Sequence, residues 1–143
     1  MKEMTLEAKR ENLHQVFDFV TGELKETISD KKIIRQVKLC VEEIFLNISS
    51  YAYKPDTGPA KITVEVEGDD GPVKIVISFS DKGHPFDPLS VDDPDTESDL
   101  DERKVGGLGI FLVKTTMDGV NYEYKDGQNI LTVEKTYPVV QGK

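Results

Sequence analysis

Three short stretches of this sequence carry residues that ordinary packing does not ask for. In VGGLGIFLV, residues 105–113, glycines lead straight into an apolar helical run. A helix that begins on glycines leaves backbone N–H groups open at its positive end, and such an end is a ready site for an anion. In LCVEEIFLNISSYAY, residues 39–53, Glu43 and Asn47 lie four apart, so they share one helix face. In SFSDKGHPFDP, residues 78–88, Asp81 follows an apolar strand and precedes Gly83 by two, the pattern of a tight turn. Each stretch alone also has a plain reading: glycines serve turns, and Glu43 and Asn47 suit the rim of a helix bonded to a neighbouring loop.

The helix can be read more finely. At about 100° per residue, with Ile44 as zero, the apolar stripe runs from about −40° at Cys40 to about +100° at Phe45. On the same scale Asn47 falls near about −60° and Glu43 near about −100°, both against one margin of the stripe. Glu42, near about 160°, lies well away. The pattern therefore predicts a semi-buried Glu43 and a solvated Glu42.

The elements that must position these residues follow from periodicity. MTLEA at the amino end reads as a short strand. Leu13, Val16, Phe17, Val20, Leu24 and Ile28 recur at helical spacing, and Asn12 with Gln15 resembles an amide version of the capping box. A second helix is predicted from about Asp30 to Tyr53, with Pro55 beyond its end. Its stripe is Ile33, Ile34, Val37, Cys40, Val41, Ile44, Phe45 and Ile48. Leu39 and Leu46, on its far side, are expected to pack against the first helix or to meet a partner. The period then changes to two: Ile62, Val64 and Val66 alternate with polar residues, and Val73, Ile75, Ile77 and Phe79 return after GDDGP. A short third helix, IFLVKTTMD, is expected to close at Gly119. A last hairpin turns about Asp126–Gly127, with Val120, Tyr122 and Tyr124 facing one way. This order suggests an α+β two-layer sandwich, a mostly antiparallel sheet covered on one face by helices.

Composition narrows the classes. A chain of 143 residues with 31% charged side chains is sized and composed as a single globular domain. Its net charge of −9 is local: residues 87–102 hold eight acidic side chains and no basic one, and elsewhere 18 basic residues face 19 acidic ones. No basic stripe is present to grip a nucleic-acid backbone, so no nucleic-acid partner is expected. No apolar run approaches the roughly 20 residues of a membrane span, and the start lacks the apolar segment of a secretory signal. A cytoplasmic location without membrane attachment is the expectation. The single Cys40 sits in the apolar helical pattern and reads as a packed thiol. His14 and His84 stand isolated from other metal-type ligands and read as structural or surface residues.

In chain order, an E-x-x-x-N helix, a D-x-G loop after a strand and a G-x-G helix start resemble the nucleotide site of the GHKL ATPases. This is the Bergerat fold of gyrase-type topoisomerases, histidine kinases and related chaperones. The closer likeness is to the anti-sigma-factor branch, small bacterial serine/threonine kinases that restrain a sigma factor. DKGHPFDP resembles that branch's D-x-G-x-P-F-D-P loop, and GGLGIFLVKTTMDGVNYEY resembles its last glycine box, helix and strand. The likeness runs from Leu13 to Lys135.

The resemblance implies one ATP-binding domain over residues 1–143, with the acidic segment at 87–105 as its lid. It implies ATP and Mg²⁺ as cofactors. Asn47 would ligate the metal, which favours oxygen donors and retains most of its waters. Glu43 would act as general base or orient the attacking group. Asp81 would accept a hydrogen bond from the adenine amine, and Gly83 would let the backbone approach the ring. Gly106, Gly107 and Gly109 would cradle phosphates, with Leu108 and Ile110 beginning the helix. Tyr51 and Phe86 complete the expected nucleotide contacts, Tyr51 standing where many relatives have histidine. Asn129 stands where the final strand often has threonine, and Val105 where related kinases place an arginine, with Arg103 and Lys104 just behind. Arg103 and Lys104 are expected to turn toward the phosphates while the acidic side chains face solvent. The implied partners are a sigma factor and an anti-anti-sigma (STAS-type) protein phosphorylated on serine or threonine. A homodimer edge near Leu6 is suggested by family habit alone. Two other readings remain: an ATP-dependent partner-switching module with little catalysis, and the catalytic half of a histidine kinase.

Overall fold

The computed structural model describes residues 1–53, 56–68, 72–85, 87 and 107–137. Among these residues five strands and three α-helices follow in the order β1 (Lys2–Glu7), α1 (Leu13–Lys25), α2 (Lys31–Tyr51), β2 (Pro59–Glu67), β3 (Val73–Asp81), α3 (Gly107–Thr116), β4 (Gly119–Lys125) and β5 (Gln128–Tyr137). The strands form one sheet in the order β1-β2-β3-β5-β4, with every neighbouring pair antiparallel. The helices cover one face, giving the expected α+β two-layer sandwich.

Alternation builds the sheet's buried face. Ala60, Ile62 and Val64 of β2 and Val73, Ile75, Ile77 and Phe79 of β3 are buried, while the residues between them are more open. Register aligns these rows: Val64 opposes Ile77, and Ile77 opposes Val133 of β5. Over them lie Val16, Val20 and Leu24 of α1 and Val37, Cys40, Val41, Ile44 and Phe45 of α2, the residues that helical spacing selects. The β4–β5 turn places Asp126 at φ +53° and Gly127 at φ +77°, the left-handed pair that a two-residue hairpin of this hand requires.

Several boundaries differ from the pattern-based expectation. Asn12 does not cap α1. It ends a 3₁₀ turn, Arg10–Asn12, at φ −92° and ψ 2°, so its side chain cannot reach the next amides and instead donates to the Glu7 carbonyl. Gln15 keeps only a 3.3 Å contact to Asn12 Oδ1. Asp30 does cap α2, its Oδ1 accepting the Lys32 N–H at 2.8 Å. Gly119 is not a helix terminator: it opens β4, paired with Glu134. The third helix begins at Gly107, not Ile110, because its glycines adopt the helical conformation. Leu39 does not pack beneath α1. It is 44% exposed, and α1 meets α2 instead through Phe17, whose ring lies 4.7 Å under the Lys38 ammonium. Leu6 belongs to the edge strand β1 and packs partly buried against the core.

The end of α2 is tied to two other parts of the chain. Tyr53 Oη donates to the Pro59 carbonyl at 2.6 Å and accepts the Lys82 N–H at 2.7 Å. The Ala52 carbonyl accepts the His84 N–H at 2.8 Å. Gly83 is pressed so close that a Cβ there would lie 2.5 Å from the Ala52 carbonyl carbon and 2.8 Å from its Cβ. Gly83→Ala should therefore cost about 1–3 kcal/mol in urea unfolding, as overpacking does. Gly22→Ala, on exposed α1 with nothing within 4 Å of a new Cβ, should instead stabilise by about 0.5–1 kcal/mol. Equal effects from the two substitutions would contradict the close approach.

Candidate active site

Helix α2 carries Glu43, Asn47 and Tyr51 at successive turns of one face. Asn47 is half-buried and Tyr51 is 38% exposed. Glu43 is half-buried beneath the first turn of α3: a Cβ on Gly109 would lie 3.2 Å from Glu43 Cδ and 3.4 Å from its Cβ. Glycine at this position lets the helix start lie directly against the carboxylate; a larger residue would have to turn the Glu43 side chain aside. Burial raises the Glu43 carboxyl above the usual glutamate range, and the charge of Glu42 adds to it. Glu42 is itself half-buried, so the expectation of a fully solvated Glu42 is corrected. The angular reading nonetheless selects the glutamate that faces Gly109.

One turn before Glu43, Cys40 is fully buried, and desolvation pushes its thiol up to about 11 despite a hydrogen bond with Thr116. Such a thiol stays protonated and packs between helices. Thr116 is held in turn by Lys135 Nζ, which donates to its carbonyl at 3.0 Å.

Asp81 ends β3 and is 6% exposed. Its Oδ1 accepts two hydrogen bonds of 2.9 Å, from the Gly83 N–H and from Asn129 Nδ2. Asp81 Oδ2 has no hydrogen-bond partner among the described residues, which leaves an acceptor for a ligand. Asn129 lies directly opposite on β5, its Nδ2 also donating to the His84 carbonyl at 2.9 Å while its Oδ1 accepts from the Tyr122 hydroxyl. Tyr122 and Tyr53 were not singled out for polar work by sequence. Tyr122 has a signal, since the Asp126–Gly127 turn sets Tyr124 opposite Asn129 and so brings Tyr122 to its diagonal. Tyr53 has none, because its partners, the start of β2 and the loop after β3, are brought to it by the folded topology.

Two of the three motif stretches thus meet α2 directly. The α3 start rests on Glu43, and the Asp81 loop rests on Ala52, nine residues later, or about 14 Å along the helix axis. The first N–H groups of α3, from Gly107 onward, have no partner within the helix. Phe86, Gly106, Arg103, Lys104, Val105 and nearly all of the acidic segment lie outside the described residues, as does the side chain of Leu108. Among the described residues no three His, Cys, Asp or Glu side chains gather as a metal cage. What the site offers a cation is the Asn47 amide oxygen beside Glu43, a donor set that fits Mg²⁺ shared with phosphate and water.

Residues 6–135 match the histidine kinase-like ATPase domain family. Serine-protein kinase RsbW of Staphylococcus aureus, in strains JH9 and Newman, is 33% identical over 101 residues, covering 68% of this chain and 62% of the relative. The match therefore spans less than two thirds of those relatives' length. The catalytic domain of the histidine kinase ThkA superposes loosely, over 95% of this chain and 98% of its own, at a TM-score of 0.47 and 15% identity. No helix among the described residues is long and apolar enough to cross a membrane. All three motif stretches lie within the matched region, and the chain belongs to the histidine kinase-like ATPase domain family.

Proposed function

We propose that this chain is a Mg-ATP-dependent serine/threonine protein kinase of the anti-sigma type, which binds a sigma factor and phosphorylates an anti-anti-sigma (STAS-type) protein. The observation that carries the reading is the convergence on α2: a glycine-containing helix start on Glu43 and an acceptor-bearing loop on Ala52. That spacing suits a ligand with a base at one end and phosphates at the other. The likeness to a serine-protein kinase supports the choice of reaction.

Each residue then has a chemical task. Asp81 Oδ2 accepts from the adenine amine. Guanine presents a carbonyl at that place, and two facing acceptors repel. The free N–H groups at the α3 start meet phosphate oxygens. Asn47 would hold Mg²⁺ through its amide oxygen, and the metal would draw negative charge from the transferring phosphoryl group. Glu43 orients the attacking serine or threonine hydroxyl and accepts its proton as the new O–P bond forms and the bond to ADP breaks. Its raised proton affinity makes it the stronger base for that step.

Calorimetric titration with ATP and GTP in the presence of Mg²⁺ tests the site. Asn47→Ala and Asp81→Ala should each weaken ATP binding at least about tenfold, the worth of one charged or metal-linked hydrogen bond. Undiminished binding in both would remove the site. With γ-labelled ATP and a purified STAS-type protein, Glu43→Gln should slow transfer by about 10²–10⁴-fold with little change in ATP affinity. Full-rate transfer in that variant excludes Glu43 from the chemistry.

The same variant has a stability signature. Because the folded-state value of Glu43 lies above the unfolded one, the proton favours folding at low pH, and that favour is lost as pH rises through the folded value. At pH 7 the charged, half-buried carboxylate is a cost. Glu43→Gln should accordingly raise the melting temperature at neutral pH by about 1–3 °C. The gap should close as the pH is lowered into the ordinary glutamate range, and a constant gap would contradict the assignment.

A further inference from the structure

Asp81 does not set its own pose. Its Oδ1 is engaged twice, and one of the two donors, Asn129, is itself held from both ends. Asn129 is 8% exposed, so its amide has little water to trade with. Nδ2 faces two acceptors, Asp81 Oδ1 and the His84 carbonyl, each at 2.9 Å. Oδ1 faces the Tyr122 hydroxyl as donor. Turning the amide over would set oxygen against oxygen twice, so its partners dictate one orientation. Tyr122 is anchored in turn by its ring, which packs against the core from β4.

We propose that Tyr122 and Asn129 form a hydrogen-bond relay that fixes Asp81, making Asn129 the positioning residue on which discrimination between purines depends. The inference rests on the reading of Asp81 as the acceptor for the base amine. Its physical content is rigidity. A carboxylate free to swing can retreat from the carbonyl of guanine, and a retreating acceptor discriminates poorly. Held at Oδ1 by Gly83 and Asn129, Asp81 keeps Oδ2 in one place, where an amine is attracted and a carbonyl is repelled. The relay crosses three strands, β4, β5 and β3, so the base-recognising group is referenced to the sheet as well as to the loop that follows it.

The test is the ratio of ATP to GTP affinity, measured by calorimetric titration of the full chain with Mg²⁺ present and thermal unfolding followed alongside. A merely structural loss would weaken both nucleotides together and leave the ratio unmoved. Asn129→Ala should lower the ratio about tenfold through weaker ATP binding and tolerated GTP. Tyr122→Phe, which keeps the ring and removes only the donor to Asn129, should lower it about threefold, and it serves if Asn129→Ala does not fold. A ratio unchanged in folded Asn129→Ala or in Tyr122→Phe, while Asp81→Ala abolishes it, overturns the relay and leaves the site reading standing. A wild-type chain that binds ATP and GTP alike overturns the Asp81 reading, and the relay with it.

Discussion

Two close approaches to α2 organise the structure. Gly83 sits on the Ala52 backbone, where a single added carbon would collide, and Gly109 lies against the Glu43 side chain. Close backbone approach, as at Gly83, fixes distance more tightly than side-chain contact does, because no rotamer can absorb an error. The helix is thus a ruler on which the α3 start and the Asp81 loop are mounted. Its own position is secured by the buried stripe from Val37 to Phe45 against the sheet. The core and the site are consequently one mechanical unit.

That arrangement carries a cost at Glu43. Seating the α3 start on a carboxylate takes that carboxylate partly out of water, and its proton affinity rises as a result. Cys40, one turn away, feels the same effect: desolvation acts on its packed thiol too. Neighbouring turns of one helix thus share similar surroundings.

Much of this was legible from residue order, and the reason is periodicity. The stripe of α2, the β2–β3 alternation and the Asp126–Gly127 turn are local patterns, and each appears where the spacing places it. The angular position of Glu43 against the stripe identified the glutamate facing Gly109 because a helix keeps its geometry over a few turns. What escaped depended on contacts that the periodic pattern does not encode. Asn12 failed as a cap because a 3₁₀ turn and the Glu7 carbonyl claimed it, Gly119 became a strand residue because Glu134 pairs with it, and Leu39 stays exposed while Phe17 meets Lys38. The Tyr53 contacts and the full Tyr122–Asn129–Asp81 chain likewise need the folded topology, although the hairpin register held a hint of the latter.

The place of β1 has a consequence for how the chain is assembled. It precedes both long helices in the chain, yet among the described residues it pairs with β2 alone, so Lys2 waits for Val64 and Glu7 for Pro59. Both long helices must be synthesised in between, and closing so large an interval is entropically slow. During translation β1 therefore trails without a strand to join until β2 has left the ribosome. A strand made before both helices is among the later elements to find its seat.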